Sequence, residues 1–153
     1  MALTTEGKIF SWGRNNYGQL GISGKQQTRE NVPREISLPK DISVADISCG
    51  EEHAALLTSE GHVYTWGYGH DGQLGHSAKT HLSAPKKIDE ITQKAKKVIC
   101  GGGHTAILTQ SGELYLFGRG RDGQLGKGDA LESVAASRYA PTKVKSIQEG
   151  IFV

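Results

Sequence analysis

The sequence predicts an all-β chain built from about three copies of a four-stranded antiparallel unit. Three observations carry that expectation. Glycine supplies 21 of the 153 residues, about 14% where about 7% is usual. Only four prolines accompany it and no triplet period appears, so collagen and low-complexity chains are excluded and the glycines read as backbone punctuation. Second, Gly7-Lys-Ile-Phe-Ser-Trp-Gly13, Gly61-His-Val-Tyr-Thr-Trp-Gly67 and Gly112-Glu-Leu-Tyr-Leu-Phe-Gly118 recur at spacings of 54 and 51 residues. Each is followed by Gly-Gln-Leu-Gly, at Gly18 to Gly21, Gly72 to Gly75 and Gly123 to Gly126. Third, Cys49-Gly50-Glu-Glu-His53 returns 51 residues on as Cys100-Gly101-Gly-Gly-His104. Several motifs sharing one period mark a repeat architecture.

The elements follow in order. Residues 2–4, Ala-Leu-Thr, read as the tail of a strand whose fuller copies come later. Residues 8–12 are aromatic and β-branched between glycines and read as a strand; residues 63–66 and 114–117 are its copies. Stretches led by proline at 33–36, 85–88 and 141–144 form a second strand class. Residues 44–49 and 97–100 form a third, and 54–58 and 105–109 a fourth. Ser59-Glu60-Gly61 and Gln110-Ser111-Gly112 turn tightly from the fourth class into the next copy of the first, which makes antiparallel hairpins. The segment between 126 and 141 holds the one helix candidate, a turn or two with Asp129 capping Ala130-Leu131-Glu132.

Four antiparallel strands in about 50 residues is the size of a β-propeller blade. The chain therefore reads as a single repeat domain over 1–153, with repeats at approximately 7–58, 61–109 and 112–153 and residues 1–5 left from a preceding repeat strand. Four blades, the smallest closed ring, would take about 200 residues at this spacing. One copy is thus an open or partial propeller with exposed edges. The apolar end Ile151-Phe152-Val153 lies where a further strand would begin, and the first blade lacks a strand of that class. Two readings stay open: part of a longer propeller, or a six-bladed homodimer made by exchange of terminal strands.

Composition narrows the function. The charged fraction is 22% and the net charge +2, unlike an acidic tail or a strongly basic nucleic-acid binder. Two cysteines cannot staple a domain of this size, which points to a reducing, intracellular setting, cytoplasmic or nuclear. The first residues have neither the basic nor the apolar region of a secretory signal, and no apolar run approaches the ~20 residues that cross a bilayer.

Candidate sites read mostly as scaffold. Gly67-Tyr-Gly69-His-Asp-Gly72 and Gly118-Arg-Gly120-Arg-Asp-Gly123 satisfy Gly-x-Gly-x-x-Gly after a strand, but no helix follows to hold a pyrophosphate, and the first copy breaks the pattern. Cys-x-x-x-His occurs twice, yet equivalent positions on neighbouring blades stand too far apart to complete a four-ligand zinc site. Cys49 and Cys100 therefore read as buried small thiols, and His53 and His104 as histidines bonding the loop backbone. Neither histidine has the partners of a catalytic constellation, so no catalytic residue, cofactor or metal is expected. Trp12, Trp66 and Phe117 read as strand-end core residues. The glycines Gly13, Gly18, Gly21, Gly50, Gly67, Gly72, Gly75, Gly101, Gly118, Gly123 and Gly126 read as structural repeat positions. What differs between repeats is charge: residues 1–60 carry six basic and eight acidic groups, and residues 61–153 twelve and eight. Lys86, Lys87, Lys94, Lys96 and Lys97 cluster in one stretch and Arg119, Arg121 and Lys127 in another. They are a solvated face or a patch for an acidic partner.

The strand with its trailing Gly-Gln-Leu-Gly, followed by Cys-Gly-x-x-His-x-x-x-Leu-Thr, resembles the regulator of chromosome condensation repeat over nearly the whole chain. Trp-Asp and kelch repeats fit worse, since Trp is followed here by Gly and no Gly-Gly doublet repeats. The resemblance implies blades of a seven-bladed propeller and a non-catalytic protein-interaction module inside a larger ubiquitin ligase, kinase or GTPase regulator. The alternative it implies is guanine-nucleotide exchange on a small Ras-like GTPase, which in the founding member uses a projecting β-wedge with no counterpart here. Chromatin contact through the basic second half is a third. The plant ultraviolet-B photoreceptor shares the implied fold, but its light-absorbing tryptophans follow the Cys-Gly pair, where this chain has Glu51 and Gly102. Photoreception is not expected.

Overall fold

Each sheet is an antiparallel meander whose strands lie side by side in chain order, and each four-stranded sheet takes its first two strands from one repeat and its last two from the next. The computed structural model describes residues 1–24, 27–126 and 137–144. The first sheet contains β1 (Ala2–Leu3), β2 (Ile9–Arg14) and β3 (Arg29–Glu35). The second contains β4 (Val44–Cys49), β5 (His53–Thr58), β6 (Val63–Gly67) and β7 (Leu82–Lys87). The third repeats that order with β8 (Ala95–Cys100), β9 (His104–Thr109), β10 (Leu114–Gly118) and β11 (Arg138–Lys143). The expected helix at 129–132 and the apolar end at 151–153, on which strand exchange would draw, lie outside the described residues.

The proline-led strands begin earlier than expected. Pro33, Pro85 and Pro141 fall inside β3, β7 and β11 rather than at their starts. These are the edge strands of their sheets, where a missing N–H leaves no ladder partner unsatisfied. Register shifts at Ser11/Gly13, Thr65/Gly67 and Leu116/Gly118 bend the same three pairings.

The core lies between sheets, not within one. Successive side chains of a strand face opposite ways, and all six residues of β5 are buried. Ala54 and Leu56 pack with Ile9, Ile36, Val44 and Trp66 toward the first sheet. Ala55 and Leu57 pack with Val98, Ile107 and Phe117 toward the third. β8 accordingly lies against β4 and β5. In the third sheet only alternate residues of β9 are buried, Thr105, Ile107 and Thr109. The three sheets are stacked as blades, and each buried leucine or isoleucine between them contributes about 1.5–3 kcal/mol.

Candidate functional site: the blade junctions and the loop end

The repeated motifs meet at the junctions between blades. The Gly-Gln-Leu-Gly turn of one blade first folds onto its own sheet, where Ser11 Oγ donates to Leu20 O and Thr65 Oγ1 to Leu74 O, both at 2.6 Å. The turn then sits on the strand-end aromatic of the next blade. Trp66 Nε1 donates to Gln19 O at 3.1 Å. A Cβ at Gly21 would fall 2.7 Å from that indole, and one at Gly75 2.7 Å from the Phe117 ring. Both glycines also have positive φ, 69° and 72°, so no other residue fits the turn. Trp66 and Phe117 are 0% exposed.

Phe117 has no indole N–H, and the second junction closes with other atoms. Thr105 Oγ1 donates to Gln73 O at 2.7 Å. Its proton being used there, the hydroxyl accepts from His53 Nε2 at 2.9 Å. That hydrogen bond places the proton of His53 on Nε2 and leaves Nδ1 bare, buried and unpartnered. Burial first, and then the nearby His104, pull the His53 pKa down to about 4. His53 thereby bridges to the neighbouring blade, a contact the sequence did not announce.

The Cys-Gly-x-x-His motif is a turn with the histidine ring laid over its glycine. Gly50 N donates to His53 O and Gly101 N to His104 O, each at 2.8 Å. A side chain on Gly50 or Gly101 would collide with the His53 or His104 ring. Cys100 N donates to Ser48 Oγ of the neighbouring sheet at 2.9 Å. Burial pushes the Cys100 thiol up to about 12, so it is neither a nucleophile nor a ready thiolate ligand. Cys49, expected to be buried like Cys100, is exposed. No group of three His, Cys, Asp or Glu side chains that could hold a metal occurs among the described residues.

The loops after β2, β6 and β10 lie at the same end of the sheets as the Cys-Gly-x-x-His turns, since His53 pairs with Gly67 and His104 with Gly118. There Tyr17 meets Tyr68 edge to face at 4.8 Å, and His81 stacks on Tyr68 at 4.9 Å with His70 beyond. Tyr17 is the fourth residue after one strand-end glycine and Tyr68 the first after the next. The same two positions at the second junction are Asp71 and Arg119, where Arg119 Nε and Nη2 both donate to Asp71 Oδ2 at 3.0 and 2.8 Å. Sequence reasoning missed this aromatic cluster, because Tyr17 and Tyr68 hold different positions in their repeats and the period aligns only equivalent ones.

The basic residues are not gathered on one surface. Lys86 and Lys87 lie on β7 and Lys96 and Lys97 on β8, strands at opposite edges of their sheets; a four-stranded sheet is about 14 Å wide between its edge strands. Lys94 packs its Cβ against Gly61 at the end away from Arg119 and Arg121. Arg119 is held by Asp71, Arg121 is exposed, and Lys127 lies outside the described residues. Trp66 and Phe117 occupy the core as expected, but Trp12 is 45% exposed. No described blade precedes the first sheet to lay a turn over it.

The sequence profile of the regulator of chromosome condensation (RCC1) repeat matches residues 6–57, 60–108 and 111–153. The chain belongs to the RCC1 repeat family. Its sheets superpose on the crystal structure of yeast RCC1 (Prp20) bound to Kap60 with a TM-score of 0.84 at 26% identity, covering 94% of this chain and 34% of that one. Human WBSCR16 gives 0.79 at 33% identity, over 94% and 36%. Among curated relatives, the probable E3 ubiquitin-protein ligase HERC4 of Mus musculus is 41% identical over 145 residues. The ultraviolet-B receptor UVR8 of Arabidopsis thaliana is 38% identical over 130. The chain spans 13% of the length of HERC4 and 29% of UVR8. Among the described residues no helix is long and apolar enough to cross a membrane.

Proposed function

We propose that the chain is a non-catalytic protein–protein interaction module, an RCC1-type arc holding loops for a partner within a larger protein of the ubiquitin-ligase, kinase or GTPase-regulator kind. One observation carries this reading: among the described residues, buried or paired groups able to do chemistry are engaged where blades join. His53 bridges to Thr105, Cys100 is buried, and Arg119 is clamped on Asp71. Variation between blades is left to the loop end, Tyr17, Tyr68, His70 and His81 at one junction and Asp71, Arg119 and Arg121 at the next, and binding is commonly placed on such loops. Similarity to ubiquitin-protein ligases supports a partner from the ubiquitin pathway. The exposed Lys96, Lys97 and Arg121 are the basic groups best placed to meet an acidic surface. Two free thiols suit a cytoplasmic or nuclear setting.

The second reading is guanine-nucleotide exchange on a small GTPase, with chromatin contact behind it. It is favoured by the likeness to Prp20p of Saccharomyces cerevisiae, whose structure is described together with its binding to Gsp1p and histones. Release of fluorescent GDP from a panel of Ras-like GTPases separates the two. The interaction-module reading expects the intrinsic rate at saturating chain. Acceleration by about ten-fold, roughly 1.4 kcal/mol off the barrier, would replace it with the exchange reading.

A further inference from the structure

The first blade junction carries polar atoms that joining the blades does not use. Tyr17 lies in the loop after β2, Tyr68 and His70 in the loop after β6, and His81 just before β7. Around Tyr68 stand Tyr17 at 4.8 Å edge to face, His81 at 4.9 Å stacked and His70 at 6.3 Å edge to face. Tyr17 and His81 also meet, at 5.1 Å. The rings touch one another and leave no cage between them. They form a ledge instead: Tyr17 and Tyr68 are half-buried, while His70 and His81 are exposed.

The backbone holds this ledge in place. Tyr68 N donates to Glu52 O at 2.8 Å, and Gly69 N donates to His81 Nδ1 at 3.2 Å. The second bond puts the proton of the neutral His81 ring on Nε2. His81 Nε2 and the hydroxyls of Tyr17 and Tyr68 have no hydrogen-bond partner among the described residues. Burial first, and then Asp71, Tyr17 and Glu52, raise the Tyr68 pKa, so its phenol stays a donor. The ledge thus offers ring surface and three free donors, with Glu52, which makes no ion pair among the described residues, beside them.

The recurring ways of holding a peptide narrow what fits. Strand addition needs a free edge, but β7, which begins beside His81, carries Pro85 and is met at Ser83 by the turn at Gly18. A helix in a groove needs anchors spread over about 10 Å, seven residues apart, and these rings all lie within 6.3 Å of Tyr68. Capture of a phosphate or carboxylate needs free arginines, and Arg119, beside Tyr68, is engaged by Asp71. A polyproline II segment asks for aromatic faces and for donors to its unpaired carbonyls. Both are present.

We propose that the ledge binds an extended, proline-containing segment of a protein partner, with a basic residue of that segment beside Glu52. This rests on the interaction-module reading and names the chemistry of the partner. Pyrrolidine rings pack on Tyr17 and on the face of His81 turned away from Tyr68, and the three donors meet backbone carbonyls. The Glu52 carboxylate sets which way the segment runs. A preformed ledge and a stiff segment keep the ordering cost of binding low.

Fluorescence anisotropy of a labelled decaproline bearing two arginines at one end, titrated with the 153-residue chain at pH 7, tests this. Saturable binding with a Kd of about 10–100 μM is expected. Tyr17→Ala and His81→Ala each weaken it about ten-fold. Tyr68→Phe, which keeps the ring and removes one donor, weakens it about three-fold. Glu52→Gln weakens the arginine-bearing peptide and leaves plain decaproline unchanged. All four positions are exposed or half-exposed, and far-ultraviolet circular dichroism verifies that the variants fold. No saturation by about 1 mM of folded chain overturns the proposal. So does equal affinity for a Gly-Ser peptide with the same arginines, or an affinity that Tyr17→Ala and His81→Ala leave unchanged. With GDP release at its intrinsic rate, such a failure falls on the segment alone; accelerated release is the separate failure of the interaction-module reading.

Discussion

The first and second blade junctions solve one problem with different atoms. In both, a Gly-Gln-Leu-Gly turn lies on the next blade and brings a glutamine carbonyl that must find a donor. At the first junction the donor is the indole of Trp66, reaching Gln19 O. At the second, Phe117 cannot donate, and Thr105, standing where the second blade has Ala54, supplies a hydroxyl to Gln73 O. That hydroxyl then draws in His53. Around the rim the aromatic pair Tyr17–Tyr68 is exchanged for the ion pair Asp71–Arg119. What the repeat preserves is therefore a satisfied acceptor and a buried aromatic, while residue identity is free to change if a second position changes with it.

The comparison breaks most sharply at Thr105. Thr105→Val keeps the shape and removes a hydroxyl that serves two buried groups, leaving Gln73 O without its donor and His53 Nε2 without its acceptor. Two such orphans cost about 4 kcal/mol together, measured by urea denaturation at pH 7.

Acid probes the same junction with a somewhat smaller effect. His53 is held near 4 in the folded chain against 6.5 unfolded, so below pH 6.5 the unfolded chain takes up a proton that the folded chain refuses. Stability from this group is complete above pH 6.5 and falls away as the pH drops toward 4, by about 3 kcal/mol in all. His76 and His104, lowered chiefly by burial, act in the same direction. His53→Gln should flatten the pH dependence between 6.5 and 4, and an unchanged slope would remove His53 from the second junction's energetics.

Trp66→Phe writes the second junction's aromatic into the first without its compensating threonine. Gln19 O loses its donor and a small cavity opens, a loss of about 2 kcal/mol in the same assay. Adding Ala54→Thr should return part of that loss. No recovery would mean that the hydroxyl at Thr105 is not interchangeable with the indole.

Much of this architecture was legible in advance, for a physical reason. Positions that cannot tolerate a side chain or must be aromatic leave a period in the sequence, so the blades and their turns could be read directly. The strands holding Pro33, Pro85 and Pro141 were placed late because proline is a poor guide to where an edge strand starts. The aromatic cluster and the His53–Thr105 bridge were not legible, because each joins residues on different blades, 51 or 52 positions apart. Spacing reveals equivalent positions but not contacts between non-equivalent ones. The spatial spread of the lysine run was hidden for the complementary reason: neighbours in sequence fall on strands at opposite edges of successive sheets.

The central claim is that each Gly-Gln-Leu-Gly turn is held by the blade that follows it, and two glycines test it directly. Gly72 and Gly123 are equivalent residues with φ of 87° and 77°, so alanine strains the backbone similarly at both, by about 1–3 kcal/mol. Only at Gly72 would the new methyl strike the next blade, at Arg138 O and Tyr139 Cα. Denaturation of Gly72→Ala and Gly123→Ala should show a clearly larger loss for Gly72. Equal losses would contradict the account.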